Sequence, residues 1–246
     1  MARLDKRAEQ FIQDFTRQLA DLYGDDLRSV ILYGSAGSLH FIPGLSDLNL
    51  MIVLREITPQ RLRQAADRLK RFRRERIEPL FLTPTQLTAL AEFYPIELLE
   101  MQEQHRVLQG EDILQGITVA PEGLRFQLMS ELTGKSLRLR TLYLKAGQDA
   151  RRLEEALRSV IIPFQVLMRT LLRLSDGSLP PPLEYLEIVT QMEERFRLEL
   201  PGFRDAYQVK LGTHRLLREE LHELFGQILN EAGILTARAS KIAPAS

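Results

Sequence analysis

With 246 residues, 44% of them apolar and 27% charged, the chain has the makings of one large globular domain or two of ordinary size. Its 33 basic and 33 acidic residues cancel, which argues for neither nucleic acid nor membrane as a partner, and the lack of cysteine excludes a disulfide framework and a thiolate metal site. Charge runs through Met1–Gln10, unlike a signal peptide, and Arg or Asp breaks every long apolar run, so the expectation is a soluble cytoplasmic protein that makes no membrane contact. Leu4, Ala8, Phe11, Phe15, Leu19 and Leu22 recur at helical spacing, and the helix they predict stops at Gly24-Asp25-Asp26. Ser29–Tyr33 and Leu48–Leu54 are short apolar runs of the kind buried strands make. Thr58-Pro59 reads as an N-cap followed by proline at the first helical position, opening a helix to about Arg74. Ile77–Leu82 reads as a strand that Pro79 assigns to an edge or irregular position, and Thr83-Pro84-Thr85-Gln86 has capping-box spacing. Pro95–Gly110 fits either a helix or short strands, with a strand over Ile96–Met101 preferred.

After about Ala120 no strand-like run remains. Pro121 opens a long helix over Glu122–Lys145, ended by Gly147, and Asp149 is placed to cap the next, to about Arg173. Ser175–Ser178 and Pro180-Pro181-Pro182 break the pattern, and two more helices follow, near Leu183–Leu198 and Thr213–Ala232. The expected organisation is an α/β domain over 1–120, a helical bundle over 121–236 and a flexible tail over 237–246.

The chemistry-bearing stretch is Ser29–Leu54. Gly34-Ser35 follows the first strand directly, and a glycine there allows a sharp turn and a close ligand approach. Asp47 and Asn49 open the second strand two positions apart, so they project to one face, which Met51 and Val53 continue, while Leu48, Leu50 and Ile52 face the other way. Each feature also has a plain structural role. Gly34-Ser35 can simply end a strand, Asp47 and Asn49 can bond their own backbone, and Glu78 can form a surface ion pair with the adjacent Arg76. Tyr33 in place of a small residue excludes a serine nucleophile elbow at Gly34-Ser35-Ala36-Gly37. The basic run Arg61–Arg76 reads as a solvated helix face, Arg215 and His222 as neighbours on the last helix, and His40 and His105 as single histidines without metal-ligand spacing.

Tyr33-Gly34-Ser35, followed by Asp47-Leu48-Asn49-Leu50 after a spacer of roughly ten residues, resembles the nucleotidyltransferase superfamily that includes DNA polymerase beta and the aminoglycoside nucleotidyltransferases. The resemblance covers about a quarter of the chain, from Arg28 to near Thr83. It implies an α+β fold, a mixed sheet with flanking helices, followed by an all-α bundle. It also implies transfer of a nucleoside monophosphate from ATP or another nucleoside triphosphate to a hydroxyl of an unidentified acceptor, with Mg²⁺ as cofactor. Gly34 and Ser35 would hold phosphate oxygens, Asp47 would bind metal, and Glu78 would be the third acid, with Glu97 its rival if Ile96–Met101 is a strand. Asn49 stands where the family has a second metal-binding Asp. An amide oxygen can ligate a metal but adds no charge, which opens an alternative: a non-catalytic nucleotide-binding or regulatory protein on the same scaffold. A third reading gives the Glu122–Arg173 helices a protein partner, marked by an apolar patch left exposed there; separately, a homodimer stays open for the chain as a whole.

Overall fold

The structure is a computed structural model that describes residues 6–34, 47–70, 76–176 and 184–242. The chain separates into two compact units, Met1–Ala120 and Pro121–Ser246.

The first unit is built on a mixed sheet. Helix α1 (Lys6–Tyr23) leads through a turn at Gly24–Asp26 into strand β1 (Leu27–Tyr33). Strand β2 (Leu48–Leu54) pairs antiparallel with β1, with Ile31 opposite Met51. Helix α2 (Pro59–Leu69) then carries the chain to β3 (Ile77–Leu82), which lies parallel to β2. Helices α3 (Pro84–Phe93) and α4 (Pro95–Glu103) precede β4 (His105–Gly110), which pairs antiparallel with β1, giving the order β3-β2-β1-β4. The predicted caps are present. Thr58 accepts the Arg61 amide at 3.3 Å, and Thr83 and Gln86 form the reciprocal capping box. Pro79 sits in an edge strand, where its missing N–H leaves no gap in the ladder. At the other edge Leu108 is the extra residue of a bulge, and β4 ends at Gly110, whose φ is +81° and whose added Cβ would lie 2.0 Å from the Arg28 carbonyl oxygen.

Strand alternation divides the core. Val30, Leu32, Leu48, Leu50, Ile52 and Leu54 pack with Ile12, Phe15 and Leu19 of α1 and Ala65 of α2. Ile31, Met51 and Val53 pack on the other face with Leu87 of α3, Leu98 of α4 and Leu114. One expectation is corrected here. Ile96–Met101 is helical, because Pro95 occupies the first helical turn and the Leu98 amide closes onto the Tyr94 carbonyl at 3.0 Å; the strand comes afterwards, at His105–Gly110. The described part of helix α2 is Pro59–Leu69, and the rest of its expected span to Arg74 falls within residues 71–75, outside the described residues.

The second unit is helical: α5 (Pro121–Ala146), α6 (Ala150–Asp176), α7 (Tyr185–Phe196), α8 (Pro201–Leu211) and α9 (Arg218–Lys241). Asp149 accepts the amides of Arg151 and Arg152 at 3.0 and 3.2 Å, the expected cap of α6. The apolar stripe of α6 forms the centre and meets α5, α7, α8 and α9. Helix α8 occupies the stretch between the two helices expected near Leu183–Leu198 and Thr213–Ala232, with Pro201 at its first position and Gly202 and Phe203 buried. Helix α9 starts at Arg218, so Arg215 precedes it and shares no helical face with His222. Its C-terminal end runs to Lys241, where the sequence suggests a frayed tail from Ala237. Among the described residues no helix is long and apolar enough to cross a membrane.

Candidate functional site

One row of side chains crosses the whole sheet. Glu78 on β3 is in register with Asn49 on β2, Asn49 with Tyr33 on β1, and Tyr33 with His105 on β4. Register partners share a face, so four polar side chains stand side by side. The next row inward on that face is Leu80, Met51, Ile31 and Val107, which belongs to the core against α3 and α4. The face therefore changes from apolar to polar at a single register on all four strands.

The turn after Tyr33 borders this row. Gly34 has φ +72°, its N–H donates to the Gln104 carbonyl at 3.1 Å, and an added Cβ would lie 3.0 Å from the Asn49 Nδ2. Glycine meets both the left-handed backbone and the close approach of Asn49. Ser35 and Ser46 lie outside the described residues. Asp47 precedes β2 on the Asn49 side, and its Oδ1 accepts Nε of Arg76 at 2.7 Å, both side chains being about half exposed. Arg76 has φ +51°, a conformation that costs a non-glycine residue energy, and its carbonyl accepts the Leu48 amide at 2.9 Å. The neighbour relation Arg76–Glu78 suggests an ion pair in sequence; in the structure Arg76 pairs with Asp47, because Arg76 lies level with Asp47 at the start of the parallel β2–β3 ladder.

Burial raises the Tyr33 phenol above its usual range, and the negative charge of Glu78 adds to the shift, so the two groups interact across Asn49. At the β4 end, His105 Nδ1 lies 2.9 Å from the Gln102 carbonyl and Nε2 3.1 Å from Asp112 Oδ2. Burial pushes the Asp112 carboxyl up, but the hydrogen bond and charge of His105, with the amides of Gln115 and Leu114, outweigh it and hold the carboxyl below its usual range. His105 appears in sequence as an isolated histidine; only the strand register brings it beside Tyr33. Glu97, the alternative third acid, is an exposed residue in the first turn of α4 and not on the sheet.

The structural comparison agrees with this architecture. A spectinomycin adenyltransferase from Enterococcus faecialis, in a crystal structure with ATP and spectinomycin, matches with a TM-score of 0.54 at 13% identity, covering 94% of this chain and 99% of its own. The fold is nucleotidyltransferase-like. A nucleotidyltransferase-like protein from Exiguobacterium sibiricum 255-15 gives a TM-score of 0.37 at 12% identity, covering 93% of this chain and 78% of its own. No protein-family model and no curated protein matches by sequence. On this nucleotidyltransferase-like fold, Gly34, Asp47, Asn49 and Glu78 lie at one end of one sheet face, Glu78 by its register with Asn49.

The donor chemistry tests which metal arrangement fits. Among the described residues no group of three His, Cys, Asp or Glu side chains converges as a metal cage. Two carboxylates, Asp47 and Glu78, flank the Asn49 amide, and a guanidinium already satisfies Asp47. These oxygens suit one hard cation that takes its remaining ligands from phosphate and water. They lack the charge for a pair of metals bridged by shared carboxylates.

Proposed function

We propose that the protein is a nucleotidyltransferase that moves a nucleoside monophosphate from ATP or another nucleoside triphosphate to a hydroxyl of an acceptor. The observation that carries this reading is the register of Glu78 beside Asn49, two residues from Asp47, at the mouth of the Gly34 turn. The likeness in fold to a spectinomycin adenyltransferase crystallised with ATP and spectinomycin supports it. Asp47, Asn49 and Glu78 would hold one Mg²⁺, which when bound offsets triphosphate charge. Gly34 leaves room for a phosphate beside the backbone, and Ser35 is its expected polar partner. Glu78 takes the proton of the acceptor hydroxyl as that oxygen attacks the α-phosphorus and pyrophosphate departs. Arg76 is placed to leave Asp47 for the triphosphate once a cation neutralises the carboxylate.

Calorimetry and thermal shift with Mg-ATP test the first step, and mass spectrometry of acceptor mixtures containing hydroxylated aminocyclitols tests the second. Saturable heat and an acceptor heavier by one nucleoside monophosphate are expected. The absence of both heat and a thermal shift at millimolar nucleotide would sink the site. Asn49 itself favours a second reading, nucleotide binding without transfer. Turnover separates the two: transfer by the wild-type chain belongs to the first alone, whereas Asn49→Asp, which restores the acid, should strengthen Mg²⁺ binding about tenfold in either case.

A further inference from the structure

Helix α5 has two apolar faces and only one of them is covered. Leu124, Leu128, Leu132, Leu139 and Ala146 are buried in the second unit. On the opposite side Phe126, Leu137 and Leu144 stand 78%, 55% and 79% exposed. With Ser130, Thr133 and Thr141 between them, these residues recur at intervals of three and four and form one stripe. Thr133 and Thr141 donate their hydroxyls to the Met129 and Leu137 carbonyls at 2.8 and 3.3 Å, so these two hydroxyls are satisfied within the helix. Gly134 is exposed in mid-helix, and a Cβ added there would meet nothing within 4 Å. Glycine weakens a helix interior, and no neighbour in the chain requires it at this position. It does allow a second backbone to approach closely.

We propose that this face of α5 pairs two copies of the chain, antiparallel about a two-fold axis near Gly134–Ser136. That axis sets Phe126 of one copy against Leu144 of the other, and Leu137 against Thr133 beside the glycine. Charge selects the orientation. The first half of α5 carries Glu122 and Glu131, Glu131 being paired with Lys135 of its own helix at 2.9 Å, and its one cation, Arg125, donates to the Ser240 carbonyl, which leaves Glu122 opposite Arg138, Arg140 and Lys145 of the second half. The second half carries Lys135, Arg138, Arg140 and Lys145 with no acid. An antiparallel pair brings the acidic half to the basic half, while a parallel pair opposes like cations along its C-terminal turns. The stripe spans about 27 Å between Phe126 and Leu144, and two such helices bury on the order of 1,000 Å², the lower end for a specific interface. The dimer is accordingly weak and concentration-dependent. It does not depend on the nucleotide reading.

Sedimentation velocity on the full chain between roughly 1 and 200 µM should show a monomer–dimer equilibrium. Leu137→Glu should raise the dissociation constant at least about tenfold with an unchanged melting temperature, since the side chain is exposed, while Leu62→Glu on α2 leaves it unchanged. The chain has no cysteine, so engineered thiols report orientation cleanly. Mixing the Phe126→Cys and Leu144→Cys variants should give a mixed disulfide in preference to either self-link. A monomer at every concentration, a dimer indifferent to Leu137→Glu, or self-linked Phe126→Cys would overturn the proposal. So would a monomer that binds phosphatidylserine vesicles through the same face, which would reassign the stripe to a lipid surface.

Discussion

The two units handle buried or partnered acids in opposite ways. In the first, Asp47 stands half exposed at a strand end and is satisfied by the side chain of Arg76. In the second, Glu231 is 4% exposed and accepts the amides of Gly202 and Phe203 at 2.7 and 2.9 Å, capping α8 from the neighbouring α9. A side-chain partner on the surface can be exchanged for a metal or a phosphate. Main-chain amides in a closed core cannot leave, and the close fit of Gly202 against Glu231 shuts ligands out. The same functional group therefore reads as a site in one unit and as architecture in the other.

Substitutions that separate these roles sharpen the contrast. Asp47→Ala should cost several kcal/mol of transition-state stabilisation, read as loss of transfer, with the melting temperature nearly unchanged. Retained turnover would remove Asp47 from the site. Glu231→Ala should do the reverse, leaving nucleotide binding intact while destabilising the fold by about 2 kcal/mol as two helix amides lose their acceptor; chemical denaturation measures it.

Acidity tests the same division more gently. Burial raises the Glu231 carboxyl from its ordinary 4.5 to about 7, against the lowering effect of the two amides and with help from Glu193 and Asp205. The folded state then holds this proton more tightly than the unfolded chain, so the contribution of Glu231 to stability is full below pH 4.5 and is lost as pH rises toward 7. Glu193, lowered by its hydrogen bond from Arg204 against burial, and Asp112 act in the opposite sense, with stability lost as pH falls through their folded values. Melting temperature should decline on both sides of a maximum near pH 5, and Glu231→Gln should flatten the alkaline side alone. The smallest effect is expected at Arg76. Arg76→Ala should alter stability by less than about 0.5 kcal/mol, as for other exposed ion pairs, while Mg²⁺ titration shows tighter binding at the released Asp47. Weaker binding would mean that Arg76 helps hold the cation's ligands in place.

Much of this was readable along the chain, and the misreadings have a common cause. The 3.6-residue period of α1, the caps at Thr58, Thr83 and Asp149, and the alternation of Leu48–Leu54 are local signals, and the structure follows them. Pro95–Met101 carries an apolar run too short to distinguish a strand from a helix turn by period, and its proline favours the helix. Helix α8 escaped notice because its start is capped from α9 by Glu231. The site divides in the same way. Gly34, Asp47 and Asn49 stand out by spacing, but the neighbours of Asn49 are set by strand register, which brings in Glu78, Tyr33 and His105, a histidine that looks isolated in the sequence.

Sequence alone determined the two-part organisation, the glycine turn and the position of Asp47 and Asn49 at the start of a strand, because backbone conformation and periodic burial depend on near neighbours. Tertiary structure alone decided that Arg76 answers Asp47, that Glu231 caps a helix and that one face of α5 stays bare. Those outcomes depend on which distant segments meet, and a one-dimensional pattern does not record that meeting.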